Sequence, residues 1–532
     1  MPARALPPVP SPSPSPAQGP RARPAAPRGR PGGAPGLQRP AALLLTALLI
    51  APSPGRAQAP RSDGSQTARG LGSPLAEAAG GTPARSPEGE APAAADVPPS
   101  PAAAEVPPPS AAALAPVLGG PPEPAAPGQA AGAPAMADWP SLAELLVLPA
   151  WLNLQLGAVA APIANPVGGF EPAANWMQQL ELNAVLGTGL GRMPADWREI
   201  DHWQAQLRLD LYSGSPSFAS TIGSLIAPQN MAYPPGLWLS GASLSRRDRS
   251  DRWRLTAGLR SLDPDFLVAP VYDAYLFAAI NDTLNLNLLG LPITPFAAPA
   301  LTLRWGGGGL GEWRLGTFWL GPQAEIASLF GVVSGLPDLR GDLQILQWSL
   351  APTPASFDPS GPIRLRGGGS VARQLPPPLL QLGAFRSRIT PLTPAPPALL
   401  LGGIGLNHVL YGSLTLPSRL PLGLDNRLWG AAQLNLNPAQ DGTPLFLAGG
   451  WLCQGPLRER PLDVLALGVA YTGFSPQLLP QLSNLIALEL NYNFTLNNRL
   501  SLQPVLQWIV GPTGRDAVAP ILTTALQLSL SF

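Results

Sequence analysis

From Trp151 onward the chain repeats one pattern, with leucines and aromatics at alternate positions and arginine, glutamate, glutamine or asparagine between them. Leu207, Leu209 and Leu211 alternate with Gln204, Gln206, Arg208 and Asp210. Trp253, Leu255, Ala257 and Leu259 oppose Arg252, Arg254, Thr256 and Arg260. Trp313, Leu315, Thr317 and Trp319 oppose Glu312, Arg314 and Gly316, and Leu488, Leu490, Tyr492 and Phe494 oppose Glu489, Asn491 and Asn493. A side-chain period of two belongs to a strand whose two faces meet different surroundings. Long charged side chains opposite a leucine face are hard to place in a solid core. A sandwich with leucines inward and a wet charged face would satisfy any single pair of sheets, and stays open for such a pair. Number argues for closure instead. About 16 such segments, separated by turns such as Leu496-Asn-Asn-Arg499 and Pro438-Ala-Gln-Asp-Gly442, predict an all-β fold: a transmembrane antiparallel β-barrel with polar lumen and apolar exterior. Trp151, Trp203, Trp253, Trp319 and Tyr492 near strand ends suit aromatic belts at a membrane interface.

Composition sets the limits of function. The 33 basic residues are all Arg and face 32 acidic ones, a balance that argues against nucleic acid as a partner. No run approaches the roughly 18 consecutive apolar residues of a membrane-spanning helix. Cys453 is the single cysteine, and His202 and His408 are the only histidines, so most familiar catalytic and metal sites cannot be assembled. No metal, no cofactor and no catalytic residue are expected. His202 reads as a strand-end residue, and Cys453 as a lipid- or core-facing one. Gly306-Gly-Gly-Gly309 and Gly367-Gly-Gly369 lack the Lys-Ser/Thr of a phosphate loop and read as hairpin turns.

The chain has two regions. All 14 Trp, 7 Tyr and 13 Phe follow residue 138, whereas residues 1–138 are rich in Pro and Ala. Chain without aromatics cannot bury enough surface to offset its entropy, so this region is expected to be disordered. Within it, Arg21 to Arg39 precede the apolar run Ala41–Ile50 and the small residues Gly55-Arg-Ala57-Gln-Ala59. That order predicts a secretory signal peptide over residues 1–57, with an unusually long basic stretch. Residues 58–138 then form a periplasmic extension, and residues 139–532 the barrel. Ala143–Leu148 suits a short helix ahead of the first strand.

Several segments resemble the carbohydrate-selective porins of the OprB type. They are Asn165-Pro-Val-Gly-Gly169, Asn175–Asn183 and Leu186–Gly191; Leu255–Phe266 with Ala274–Asp282; Pro295–Arg304; and the closing Gly511-Pro-Thr-Gly514. In Leu522–Phe532, Leu526, Leu528, Leu530 and Phe532 share one side, much like the terminal strand that outer-membrane assembly machinery reads. The likeness covers roughly residues 150–532 and is strongest over 165–320. The Pro-rich 350–400 stretch departs from it, and Pro/Ala-rich chain stands where some relatives carry a peptidoglycan-binding domain.

The resemblance implies passive diffusion of sugars and other small polar solutes through a water-filled barrel in the bacterial outer membrane. Its partners would be outer-membrane lipid, small neutral solutes, the assembly machinery and, as in many porins, two further copies in a homotrimer. The long segment 261–299 is the expected constriction loop. Expected pore-lining residues are Arg208, Asp210, Arg254, Arg260, Arg304 and Arg314 on strands, and Asp263, Asp265 and Asp273 on the loop. The rival readings are a non-conducting envelope barrel linking membrane and cell wall, and an outer-membrane enzyme.

Overall fold

An outward row of leucines and an inward row of polar groups can be satisfied along every strand at once if the sheet closes on itself. The computed structural model describes residues 139–140, 142–149, 151–187, 202–248, 252–281, 291–306, 310–321, 339–351, 361–365, 369–391, 405–438, 442–513 and 518–532. Sixteen of its strands form one closed antiparallel barrel. The first eight are β1 (Leu152–Val167), β2 (Ala173–Gly187), β3 (His202–Gly214), β4 (Gly236–Arg247), β5 (Trp253–Arg260), β6 (Ala298–Gly306), β7 (Glu312–Leu320) and β8 (Leu339–Leu350). The others are β11 (Leu379–Pro391), β12 (Gly405–Pro417), β13 (Asp425–Asn435), β14 (Leu445–Gln454), β15 (Val464–Gly473), β16 (Leu485–Thr495), β17 (Leu500–Val510) and β18 (Ile521–Ser531). Each pairs with its neighbour in sequence, except that β8 pairs with β11, and β1 closes the ring on β18. Between β8 and β11, β9 (Ile363–Arg364) and β10 (Ser370–Val371) make a separate two-stranded ladder. Closure removes the unpaired edges that an open sheet would expose.

The faces divide as the alternation requires. Leu207, Leu255, Leu315, Leu410, Leu467, Leu488 and Leu490 are exposed on the outside, while Gln179, Thr302, Gln347, Asn407, Glu489 and Gln507 are buried on the inside. The register also gathers tryptophans. Trp253 lies opposite Trp305, Trp305 opposite Trp313, and Trp313 opposite Trp348, forming an outward row across β5 to β8. Such a row is what an interfacial girdle requires.

β1 begins and β18 ends at one end of the barrel, where the connections 248–252, 307–311 and 496–499 are short, although 188–201 and 351–378 at the same end are longer. The connections 215–235 and 261–297 leave from the other end. Short turns on the periplasmic side and long loops outside are the rule for outer-membrane barrels. At the turn end, Trp139 stacks on Phe532 with ring centroids 6.1 Å apart, and its backbone N–H donates to Asn498 Oδ1 at 3.0 Å. The terminal aromatic is therefore covered by the chain's own approach segment rather than bare toward lipid. Leu526 faces outward, Leu528 and Phe532 are half-buried, and Leu530 is buried. The helix before β1 spans Leu142–Leu146. Outside the described residues lie 1–138, with the expected signal peptide and extension, as well as parts of both glycine runs and Pro394–Pro397.

Candidate functional site: the bore and its inserted loop

Segment 261–299 is the expected constriction loop; its described residues 261–281 leave β5 and fold into the bore, and 291–297 lead back to β6. Its near end is fixed where it starts. Asp263 accepts hydrogen bonds from the Thr294 backbone N–H at 2.9 Å and the Thr294 hydroxyl at 2.7 Å, closing the loop's base. Further along, the Leu267 N–H donates to Gln347 Oε1 on β8 at 2.8 Å, and Gln381 Nε2 on β11 donates to the Val268 carbonyl at 3.0 Å.

The far end reaches β16, which lies seven strands from β5 one way around the ring and nine the other. There Glu489 accepts the N–H groups of Leu276 and Phe277 at 2.8 and 2.6 Å. Asn491 Nδ2 and Gln507 Nε2 donate to the same carboxylate, and Asn491 and Gln503 both donate to the Ala274 carbonyl. A loop tied to opposite walls divides the bore.

Tyr275 packs closely on the neighbouring strands β14 and β15 because both carry glycine there. A Cβ on Gly468 would sit 2.5 Å from Tyr275 Cε1, and one on Gly450 would sit 2.5 Å from the Tyr275 hydroxyl. Nearer the start, Phe266 packs on Gly316 in the same way. The connection 215–235 joins the inserted mass: Asn230 N–H donates to the Leu276 carbonyl, and Gln507 Nε2 to that of Pro228. At the turn end, Arg373 pairs with Asp425, and Gln454 holds Gln374 and Ala372, so residues 372–374 of the β8–β11 connection pack against β13 and β14.

The pore-lining residues expected from sequence fall into two groups and one outlier. Around the loop base, Arg208 Nε on β3 lies 3.1 Å from Glu181 on β2 and 3.2 Å from Asp210, whose other oxygen accepts from Gln179 Nε2. Arg260 joins through Asp265 at 2.6 Å. Burial raises the Asp263 carboxyl above the usual carboxylate range, opposed by the Arg208 charge and the Thr294 hydrogen bonds. The second group sits toward the turn end. Glu312 bridges Arg304 and Arg314, each Nε donating at 2.6 Å, and Arg314 also donates to the Asp265 carbonyl. Arg254 stands directly across from Arg304. Asp273 is the outlier. Its Oδ1 is shut from solvent with no hydrogen-bond partner, and burial alone pushes the carboxyl up to about 8.

Between loop and turn end lies a cavity of about 750 Å³, lined among others by Asp263, Asp265, Glu312, Arg314, Ser349 and Gln381. Its mixture of guanidinium, carboxylate, amide and hydroxyl groups suits a small hydroxylated solute. Glu181, Glu312, Glu489 and Arg247 were not among the expected residues. The first three hold inward positions in the alternating pattern and could have been found there. Arg247 was hidden by a register shift between Arg208 and Leu209, opposite β4, which changes which residues face inward.

A closed sixteen-stranded barrel, leucine outside and polar within, with a loop folded across its bore, is the architecture of a bacterial outer-membrane porin. Residues 432–532 match the model described as carbohydrate-selective porin, OprB family, in line with the OprB-type resemblance of the sequence. That stretch is the C-terminal strands and lies outside residues 165–320, where the sequence likeness is strongest. The fold is shared with the high-pH structure of Pseudomonas putida OprB, at 17% identity and TM-score 0.56, over 73% of this chain and 96% of that one. The low-pH structure of the same protein aligns at 13% identity and TM-score 0.41, over 73% and 94%. A Rh. blastica porin mutant aligns at 10% identity and TM-score 0.36, over 72% and 100%. No curated protein matches the chain.

Proposed function

We propose that the barrel lets sugars and other small polar solutes diffuse passively across the outer membrane, acting as a channel and not as a catalyst. The observation that carries this reading is the inserted loop, tied to opposite walls of a polar bore. It leaves the 750 Å³ cavity beside it on the scale of a small-ligand site. Neutral solutes suit a lining in which opposite charges are interleaved, as they are around the loop base, where Arg208 stands between Glu181 and Asp210. The match to a family described as carbohydrate-selective supports the same solute class.

Residues 1–57 would act as the export signal and 58–138 as a periplasmic arm. The placement of Trp139 at the turn end supports an arm leaving on that side. Insertion by the assembly machinery and association into a homotrimer are part of the same proposal.

The test is planar-bilayer recording of protein purified from the outer membrane, whose N-terminus by mass spectrometry should lie near residue 58. Open-channel current should fall when glucose or maltose is added. A purified barrel that passes no current and no sugar would sink the diffusion reading. It would favour the envelope-anchor alternative, for which the volume of chain packed in the bore already speaks.

A further inference from the structure

Cross-strand register places four arginines in one lateral row. Arg247 on β4 is opposite Arg254 on β5, Arg254 is opposite Arg304 on β6, and Arg304 is opposite Arg314 on β7. Their outward neighbours are the row Trp253, Trp305 and Trp313, so the four lie at one height, near the turn end. Neighbouring strands are about 4.8 Å apart, so the row extends about 14 Å along the wall. Directly opposed like charges destabilise a sheet, and three such pairs in succession do nothing for strand pairing. Glu312 is set between Arg304 and Arg314, taking one Nε of each. Each of these guanidiniums is still 28–32% exposed in its side chain, and Arg314 lines the 750 Å³ cavity.

A guanidinium presents a planar fork of donors that matches an oxyanion, and adjacent forks can share one. We infer that Arg254, Arg304 and Arg314 form an oxyanion subsite on the periplasmic side of the constriction, selecting sugar-sized solutes that carry a carboxylate or phosphate. Arg247, itself buried, adds its charge from the end of the row. The inference rests on the diffusion reading for its biological meaning, but the site can be measured without it. Glu312 is one intrinsic competitor: an incoming carboxylate would share the guanidiniums of Arg304 and Arg314 that Glu312 holds.

The experiment is calorimetric titration of the full barrel in detergent with gluconate, glucose 6-phosphate and glucose, alongside bilayer current block by the same three. Gluconate and glucose 6-phosphate should each bind at least tenfold more tightly than glucose, and the ratio between those two reports whether carboxylate or phosphate is preferred. Arg254→Gln should weaken the anions at least tenfold relative to glucose, whereas Glu312→Gln should tighten them. Opposite signs from two neighbouring substitutions are not what a loss of folding gives, and unheated gel mobility verifies barrel closure for each variant. Equal binding of glucose and gluconate, or anion binding untouched by Arg254→Gln, would overturn the subsite. Anion binding without current or sugar flux would support the subsite and remove the channel reading alone.

Discussion

Asp273 is the residue whose setting is least like that of its neighbours. The other loop carboxylates have partners, Asp263 in Thr294 and Asp265 in Arg260, whereas Asp273 Oδ1 has none among the described residues. Its folded pKa, about 8, lies above the ordinary value of 3.8. The folded state thus holds a proton that the unfolded state releases, and between those values folding stability falls as pH rises. Asp273→Asn keeps the shape and removes the ionisation. Thermal unfolding of the variant should match wild type near pH 4 and exceed it near pH 8. A variant that tracks wild type across that range would show the carboxyl to be well solvated.

At the scale of the element, the inserted loop depends on features spread around the ring. Its aromatic residues Phe266 and Tyr275 need the bare backbone of Gly316, Gly450 and Gly468, and its backbone donors need Glu489. A hydrogen bond contributes roughly 0.5–1.5 kcal/mol net, so the four donated to Glu489 are together comparable with the roughly 1–2 kcal/mol that fixing the backbone of each of Leu276 and Phe277 costs. Overpacking a tight contact costs about 1–3 kcal/mol, comparable with one such anchor. Gly468→Val places carbon where Tyr275 and Ile280 lie, and should lift the loop's far end from the wall. The expected result is larger, noisier single-channel current and faster permeation of disaccharides, with the barrel still closed by gel mobility. Unchanged conductance would mean that the loop does not set the aperture.

For the whole molecule, closure is the decisive step. β18 pairs with both β1 and β17, so Thr524 lies between Ala164 and Leu506 with no free edge on either side. Proline there removes a ladder donor in a sheet where every strand is central. Thr524→Pro should leave the chain without the compact, heat-sensitive gel band of a closed barrel. A normal band would indicate that β18 closes the ring without that donor.

Much of this architecture was legible in the chain. Alternation in segments such as Arg252–Arg260 and Leu488–Phe494 is a local property, and it determined the strands, their inward faces and the near count of sixteen. The long stretch between β5 and β6 likewise marked the loop. Tertiary structure alone decided which inward groups meet. Arg254 faces Arg304, and Glu489 receives Leu276 from more than two hundred positions away, because strand register and loop path set those distances. A period of two says which way a side chain points, while its partner depends on how neighbouring strands slide past one another until their hydrogen bonds align. The shift at Arg208 shows how one extra residue in that alignment redirects a whole strand's charges.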